Sequence, residues 1–397
     1  MIIELHVIQN FVPSNLNRDD TGAPKDCEFG GVRRARISSQ CMKRAMRERF
    51  KEGDLLPSEH LAIRTKRLVE RIGTSLVAQG KDETQARMVA EAALKAVGVG
   101  IDTKNKKEVL TDVLLFLGRS EIEAIAALCL ESWDELLAAA EVPPVEGVTQ
   151  SRKDARKSAQ AAVPPALKKA IEDCLDGGKA ADLALFGRML AVLPEKNKDA
   201  ASQVAHAIST HKVGVEFDFY TAVDDLKPDD NAGADMLGTI EFNSACFYRY
   251  QNVDTTQLAA NLGDDLELAR QTVNAFLQAA ITAVPTGKQN SMAAHNPPCF
   301  VFAVVRDTGA WNLANAFARP VWTGPNGDLP AESIARLDTH WGELTTMYGA
   351  RGIRATFAVT LGDVNLHSLT AARVDSVDAL VAGVLGQIDG NQQGKVA

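Results

Sequence analysis

The sequence predicts an α+β protein built from more than one core, and three observations carry that expectation. Stretches with strand character, rich in Ile, Val and Phe, open the chain at residues 2–8 and return at 213–220, 237–250, 300–306 and 353–361. Helical patterns lie between them, at 38–53, 258–284 and 331–348. From residue 57 to about 178 the composition shifts to alanine and leucine, and helix signals repeat there without a fixed period, which weighs against a solenoid. A chain of 397 residues exceeds one ordinary core, so two or three domains are expected.

Bulk properties narrow the class. Hydrophobic content of 46% and charged content of 24% are those of a globular protein rather than a disordered chain. No apolar run approaches the ~20 residues of a membrane span, and the start M-I-I-E-L-H-V lacks the basic and apolar regions of a secretory signal. Cys27, Cys41, Cys129, Cys174, Cys246 and Cys299 show no C-x-x-C spacing and read as reduced thiols of a cytoplasmic protein. The net charge of −8 argues against a uniformly basic coat for nucleic acid, but it leaves room for a local basic groove.

Taken in order, residues 2–8 alternate as a strand with Ile3, Leu5 and Val7 on one face. Residues 11–29 hold Pro13, Asn15, Asn17, Asp19, Asp20, Gly22 and Pro24, and read as a long loop. Gly30 and Gly31 mark a place where backbone turns or approaches something closely. Ser38 or Ser39 caps the helix that follows and closes near Gly53. Within it Cys41, Met42, Ala45 and Met46 fall on one side. Gln40, Lys43, Arg44 and Arg47, at i, i+3, i+4 and i+7, form a stripe on the other. Arg33, Arg34 and Arg36 add charge on the approach. A basic stripe that starts at a helix N-terminus with serines suits a phosphate backbone, because free N–H groups and cationic side chains converge there.

In the Ala/Leu-rich stretch, 61–77 and 83–97 read as helices, and 109–116 as strand or helix. Ser120 and Glu123 have capping-box spacing; helices at 133–140 and 166–175 follow, the second ending at Gly177-Gly178, with a Pro-containing break at 141–147 between them. Segments 182–190 and 200–210 look ordered. Residues 213–220 and 237–250 then read as arms of a long β-hairpin whose tip carries Asp224, Asp225, Asp229 and Asp230. The tail from Gly386, rich in Gly and Gln, reads as frayed. Without the helical insertion and the hairpin tip, the order strand, helix, two strands, helix, strand fits a ferredoxin-like, RRM-like core. The aromatic RNA-stacking sequence of RRM domains is absent, so Phe247, Tyr248 and Tyr250 read as core.

N-R-D-D at 17–20, K-D at 25–26, F-G-G at 29–31, R-I-S-S-Q at 36–40 and K-R-A-M-R at 43–47 resemble the CasC-type backbone subunit of type I-E CRISPR surveillance complexes, known as Cascade. Further matches follow in order: Gly187-Arg188-Met189, A-H-A-I-S-T-H at 205–211, F-Y-T-A-V-D-D-L at 219–226, L-G-T at 237–239 and F-Y-R-Y at 247–250. The stretch 55–180 matches poorly.

The resemblance implies a right-hand shape. An RRM-like palm is made of 1–54, 181–212 and 243–397, a helical fingers insertion of 55–180, and a β-hairpin thumb of 213–242. It implies no enzymatic activity, cofactor or metal. Its partners are CRISPR guide RNA, target DNA reached through the guide, further copies of the chain and other Cascade subunits, with no membrane. It implies RNA contacts by Arg18 and Lys25 in the first loop and by Ser38, Gln40, Lys43, Arg44 and Arg47 on the palm. Met189, Thr221 and Leu237 resemble residues set against bases where the RNA is kinked, with Met236 the alternative wedge to Leu237.

Other constellations carry less. His206 and His211, spaced H-x4-H, lack the helical zinc spacing and read as structural. Asp19, Asp20, Asp26 and the hairpin-tip aspartates support a runner-up of another class, a metal-dependent ribonuclease.

Overall fold

Strands with buried side chains on both faces build the larger of two compact units. The computed structural model describes residues 1–102, 108–141, 162–222, 236–323 and 327–396. One unit comprises Met1–Leu55, Ser202–Thr255 and Arg270–Ala397; the other comprises Leu56–Ala201 and Thr256–Ala269.

The first unit is organised on a nine-stranded antiparallel sheet, which makes the protein a mixed α/β one. In chain order its strands are β1 (Ile2–Ser14), β2 (Asp26–Phe29), β3 (Val32–Ile37), β4 (Ser202–Val204), β5 (Ala207–Ser209), β6 (Glu216–Ala222), β7 (Met236–Asp254), β8 (Phe300–Arg306) and β9 (Ile353–Thr360). The sheet runs β9-β8-β1-β7-β5-β3-β2, and β4 and β6 also pair with the long β7. Its longer helices are α1 (Ser39–Glu52), α2 (Leu266–Thr282, of which the part from Arg270 belongs to this unit), α3 (Leu329–Tyr348) and α4 (Val377–Val396). On β1, Ile3, Leu5 and Val7 and the alternate Glu4, His6 and Ile8 are all fully buried, so the sheet is covered on both sides. One of its cores joins Ile8, Tyr248, Tyr250, Phe300, Phe302, Leu337 and Trp341, and so fixes α3 against the strands. Phe247, Tyr248, Arg249 and Tyr250 are all buried, as expected for core positions.

Four expectations change here. First, the loop of 11–29 shrinks to 15–25. β1 continues past Phe11, whose ring meets Phe247 at 5.9 Å, and the register shift between Phe11 and Ser14 accommodates Pro13. Its far end is strand β2. Second, the tail is helical to Val396, because Leu380, Val384 and Ile388 recur at i, i+4 and i+8 and are buried. Third, 258–284 is two helices, Thr255–Asn261 and α2. Fourth, the strand of the sheet that precedes β7 next to the core is β4–β5 at 202–209, while the arm expected at 213–220 is β6, paired with the first part of β7. The acidic tip, with Asp224, Asp225, Asp229 and Asp230, lies outside the described residues.

The second unit is helical. Helices Leu68–Ala78, Glu83–Ala96, Arg119–Glu131, Trp133–Ala140 and Pro165–Asp173 enclose Ile72, Leu76, Val89, Ala93, Ile125, Leu136 and Ile171. Strand Ala62–Thr65 pairs with Leu115–Gly118, so 61–77 is not helical throughout; the Ala62 N–H instead donates to the buried Asp182 carboxylate at 2.7 Å. The cap expected at Ser120 and Glu123 sits two residues earlier, where the Glu121 carboxylate accepts from the Gly118 N–H at 2.7 Å. Residues 181–201, grouped with the palm from the sequence, belong to this unit, and of the break at 141–147 all but Glu141 lies outside the described residues. All six cysteines are free, and among the described residues no helix is long and apolar enough to cross a membrane.

Candidate nucleic-acid interface

Short-range chemistry ties the first loop to the start of α1. The Ser38 hydroxyl accepts from the Cys41 N–H at 3.3 Å, so Ser38 rather than Ser39 is the N-cap. The Ser38 N–H donates to Asn17 Oδ1 at 2.8 Å, and the Lys25 N–H to the Asn17 carbonyl at 2.8 Å. The Arg36 N–H then donates to the Lys25 carbonyl at 2.9 Å. Asn17 thus clamps both ends of the loop onto the strand and helix beside it. Asp19 shapes the turn within it, its Oδ1 accepting from Thr21 N at 2.9 Å, Thr21 Oγ1 at 2.8 Å and Ala23 N at 3.0 Å. These bonds, the Thr21 hydroxyl foremost, hold the Asp19 carboxyl below the usual range.

This arrangement brings Arg18, Lys25, Ser38, Gln40, Lys43, Arg44 and Arg47 onto one loop-and-helix surface. Met42, Ala45, Met46 and Phe50 are the buried side of α1. Gln40 and Arg44 are exposed on the other, and Lys43 and Arg47 are half-buried. Burial also lowers the Lys43 pKa. Arg18 and Arg44 line a cleft of about 900 Å³ together with Asn17, Asp20, Glu48 and Gly287. Ser38 is only 5% exposed and its hydroxyl is engaged as the cap, so it shapes this surface rather than projecting from it.

Arg34 does not belong to the surface. It is fully buried, and its guanidinium donates to the carbonyls of Ser209 at 3.1 Å and Phe317 at 2.7 Å, with its Nε donating to Phe29 at 3.1 Å. The charge counted on the approach to α1 is therefore that of Arg33, paired with Asp26 at 3.1 Å, and of Arg36.

Thr221 and Leu237 are partners in the backbone register of the β6–β7 ribbon, and Thr221 is exposed. The strand's alternation puts Phe217 and Phe219 on the Thr221 face, where they are 67% and 65% exposed. Sequence reasoning passed over these two rings, although the alternation E-F-D-F-Y-T was visible. Met189 lies in the helical unit and is 82% exposed, while its neighbours Arg188 and Leu190 are buried. Arg188 forms a fully buried pair with Glu121 at 2.7 Å and also donates to the carbonyls of Leu175 and Lys196.

His206, which reads as structural in the sequence, is exposed, and its Nδ1 lies 3.0 Å from Arg36 Nη1. Among the described residues no three His, Cys, Asp or Glu side chains come together as a metal site.

Residues 3–383 match the sequence model of the CT1975-like proteins, and the chain belongs to that family. It is similar to a solved chain of a "CRISPR RNA-guided surveillance complex, pre-nicking", with 30% identity and a TM-score of 0.82 over 98% of this chain and 100% of that one. A chain of a "CRISPR RNA-guided surveillance complex" is 27% identical, with a TM-score of 0.70 over 96% of this chain and 100% of that one. No curated protein matches the sequence.

Proposed function

We propose that this chain is a non-enzymatic, guide-RNA-binding backbone subunit of a CRISPR surveillance complex of type I-E. The observation that carries the reading is the single surface on which Arg18, Lys25, Gln40, Lys43, Arg44 and Arg47 gather, in a chain that resembles surveillance-complex subunits along nearly its whole length. Cationic side chains on a loop and a helix start grip phosphates without reading sequence, which a subunit carrying any spacer requires. Base pairing then supplies the specificity for target DNA.

In this reading β8, β1, β7 and β5 are an RRM-like palm, since the fourth, first, third and second strands of the core lie in that order with α1 and α2 between them in sequence. Residues 55–180 are the fingers and 213–242 the thumb. Copies of the chain line up along the RNA beside other Cascade subunits in the cytoplasm. Thr221, Leu237 or Met236, and Met189 displace a base at each kink.

The test is binding of labelled single-stranded RNAs of unrelated sequence in the presence of Mg²⁺. Protection without cleavage is expected, and Lys43→Ala with Arg47→Ala should weaken all of them about equally and flatten the salt dependence. Cleavage abolished by EDTA would establish the metal-dependent ribonuclease instead. That alternative has less to draw on in the first loop, where the Asp19 carboxylate is engaged in the turn and Asp26 pairs with Arg33.

A further inference from the structure

We propose that His206 is a phosphate-contacting residue of this interface, a neutral imidazole whose Nε2–H donates to the RNA backbone beside Lys25 and Arg36. The inference rests on the RNA-binding reading and adds to it a group with a different chemistry from the arginines and lysines.

A guanidinium has five donors and no acceptor. The 3.0 Å approach of Arg36 Nη1 to His206 Nδ1 is therefore a hydrogen bond only if Nδ1 is unprotonated and accepts. The hydrogen of the neutral ring must then sit on Nε2, so the contact with Arg36 selects the tautomer. Arg36 is itself held in place, its Nε donating to the Asp26 carbonyl at 3.0 Å and its backbone pairing with Ile208 of β5. The histidine immediately precedes β5, whose strand position is set by pairing with both β3 and β7. The imidazole is thus exposed but fixed at its base, which suits a donor waiting for a ligand.

The charge around it is of one sign. The cations acting on the ring are Arg36 and Lys25, while the Asp26 carboxylate is engaged with Arg33 at 3.1 Å. Partial burial, with Arg36 and Lys25 adding to it, lowers the pKa of His206 below the ordinary histidine value. Near neutral pH the ring therefore stays uncharged, and two cations flank an N–H donor. That set matches a phosphate oxygen. Lys25 also acts on Cys41 together with Arg44, so the positive field passes from His206 through Lys25 to the basic face of α1. His206 extends the proposed phosphate track from the helix back along β3.

A neutral donor and a cation leave different signatures. Losing a cation–phosphate contact lowers the slope of log affinity against log salt by about 0.7 for single strands, whereas losing a neutral hydrogen bond lowers affinity and leaves the slope alone. Glutamine places an amide N–H near the imidazole Nε2; asparagine reaches only as far as Nδ1.

The experiment measures binding of two unrelated labelled single-stranded RNAs to the full chain, comparing the parent with His206→Ala, His206→Asn and His206→Gln across salt and from pH 6 to 8. Alanine and asparagine are expected to weaken both RNAs about three- to tenfold, with an unchanged salt slope and a parent-to-variant ratio flat in pH. Glutamine should bind within about twofold of the parent. Three results overturn the assignment: His206→Ala binding like the parent, His206→Gln falling as far as His206→Ala, or a loss that grows at pH 6 with a shallower slope, which would make the contact an imidazolium. If the Lys43→Ala, Arg47→Ala chain is weakened while His206→Ala is not, only the role of His206 fails. A parent that binds neither RNA removes the RNA-binding reading, and this inference with it.

Discussion

Gly30 shows how one absent side chain can decide a local structure. Gly30 and Gly31 have φ of 62° and 75° and make the two-residue turn between β2 and β3, a conformation that favours glycine at both places. Gly30 also packs against the chain near Phe317, where a Cβ would lie 1.7 Å from the Ala318 carbonyl oxygen; at Gly31 a Cβ would meet open space. Gly30→Ala should therefore cost on the order of 3 kcal/mol or more, since backbone must move, and Gly31→Ala about 1 kcal/mol of conformational strain alone. Denaturant unfolding of the two variants checks the difference, and equal losses would mean that the approach to Ala318 is not tight. The same corner contains Arg34, whose bonds to Phe29, Ser209 and Phe317 hold the β2–β3 turn and β5 together. An arginine that reads as interface charge in the sequence is thus a structural tie.

The short segment Gly187–Leu190 shows the same division of labour within one element. Gly187 adopts φ 78° where a side chain would crowd Ala200. Arg188 exchanges backbone hydrogen bonds with Lys198 at 2.9 and 3.0 Å, and the Leu190 N–H donates to Asn197 Oδ1 at 2.6 Å. Between these anchors Met189 stands out into solvent. The Glu121 carboxylate closes the arrangement by accepting from Arg188 and from the N–H groups of Gly118 and Gly177. Removing one member of a fully buried pair strands the other charge, so Arg188→Ala should destabilise the helical unit by about 3–5 kcal/mol. Hydrogen exchange is expected to rise across 115–125 and 175–200 in that variant and to stay at parent level in Met189→Ala. Exchange unchanged in Arg188→Ala would show that the pair contributes little. Met189→Ala should leave phosphate-driven RNA affinity nearly intact while altering the pattern of reactive bases in the bound RNA.

The whole chain carries a net charge of −8 around its basic surface, so free copies repel one another through solution and RNA offsets that repulsion. Guide RNA should therefore promote regular oligomers that are absent from the RNA-free protein, and deleting 216–234 should uncouple their spacing from the RNA. Light scattering that finds a lone monomer on a long RNA at saturating protein would rule out assembly along the guide. High salt should dissolve the assemblies, because screening weakens the phosphate contacts that nucleate them.

Local pattern alone determined much of this protein. Strand character at 2–8, 300–306 and 353–361, the 3.6-residue period and serine cap of α1, and the helical pattern of α3 all survive into the structure, because each depends on neighbours within one or two turns of chain. The basic face of Gln40, Lys43, Arg44 and Arg47 was legible for the same reason. Only tertiary structure decided which motif residues serve the surface and which the scaffold. Arg34 and Arg188 look like any surface arginine in sequence. Their burial depends on carbonyls and a carboxylate supplied from 175, 283 and 67 residues away. His206 reads as structural until β5 sets it beside Arg36, 170 residues distant. Charge and periodicity are properties of a segment, but burial and hydrogen-bond partners are properties of the packed chain. A cationic side chain that meets buried carbonyls or a carboxylate becomes a tie, and one that meets solvent is left to meet a ligand.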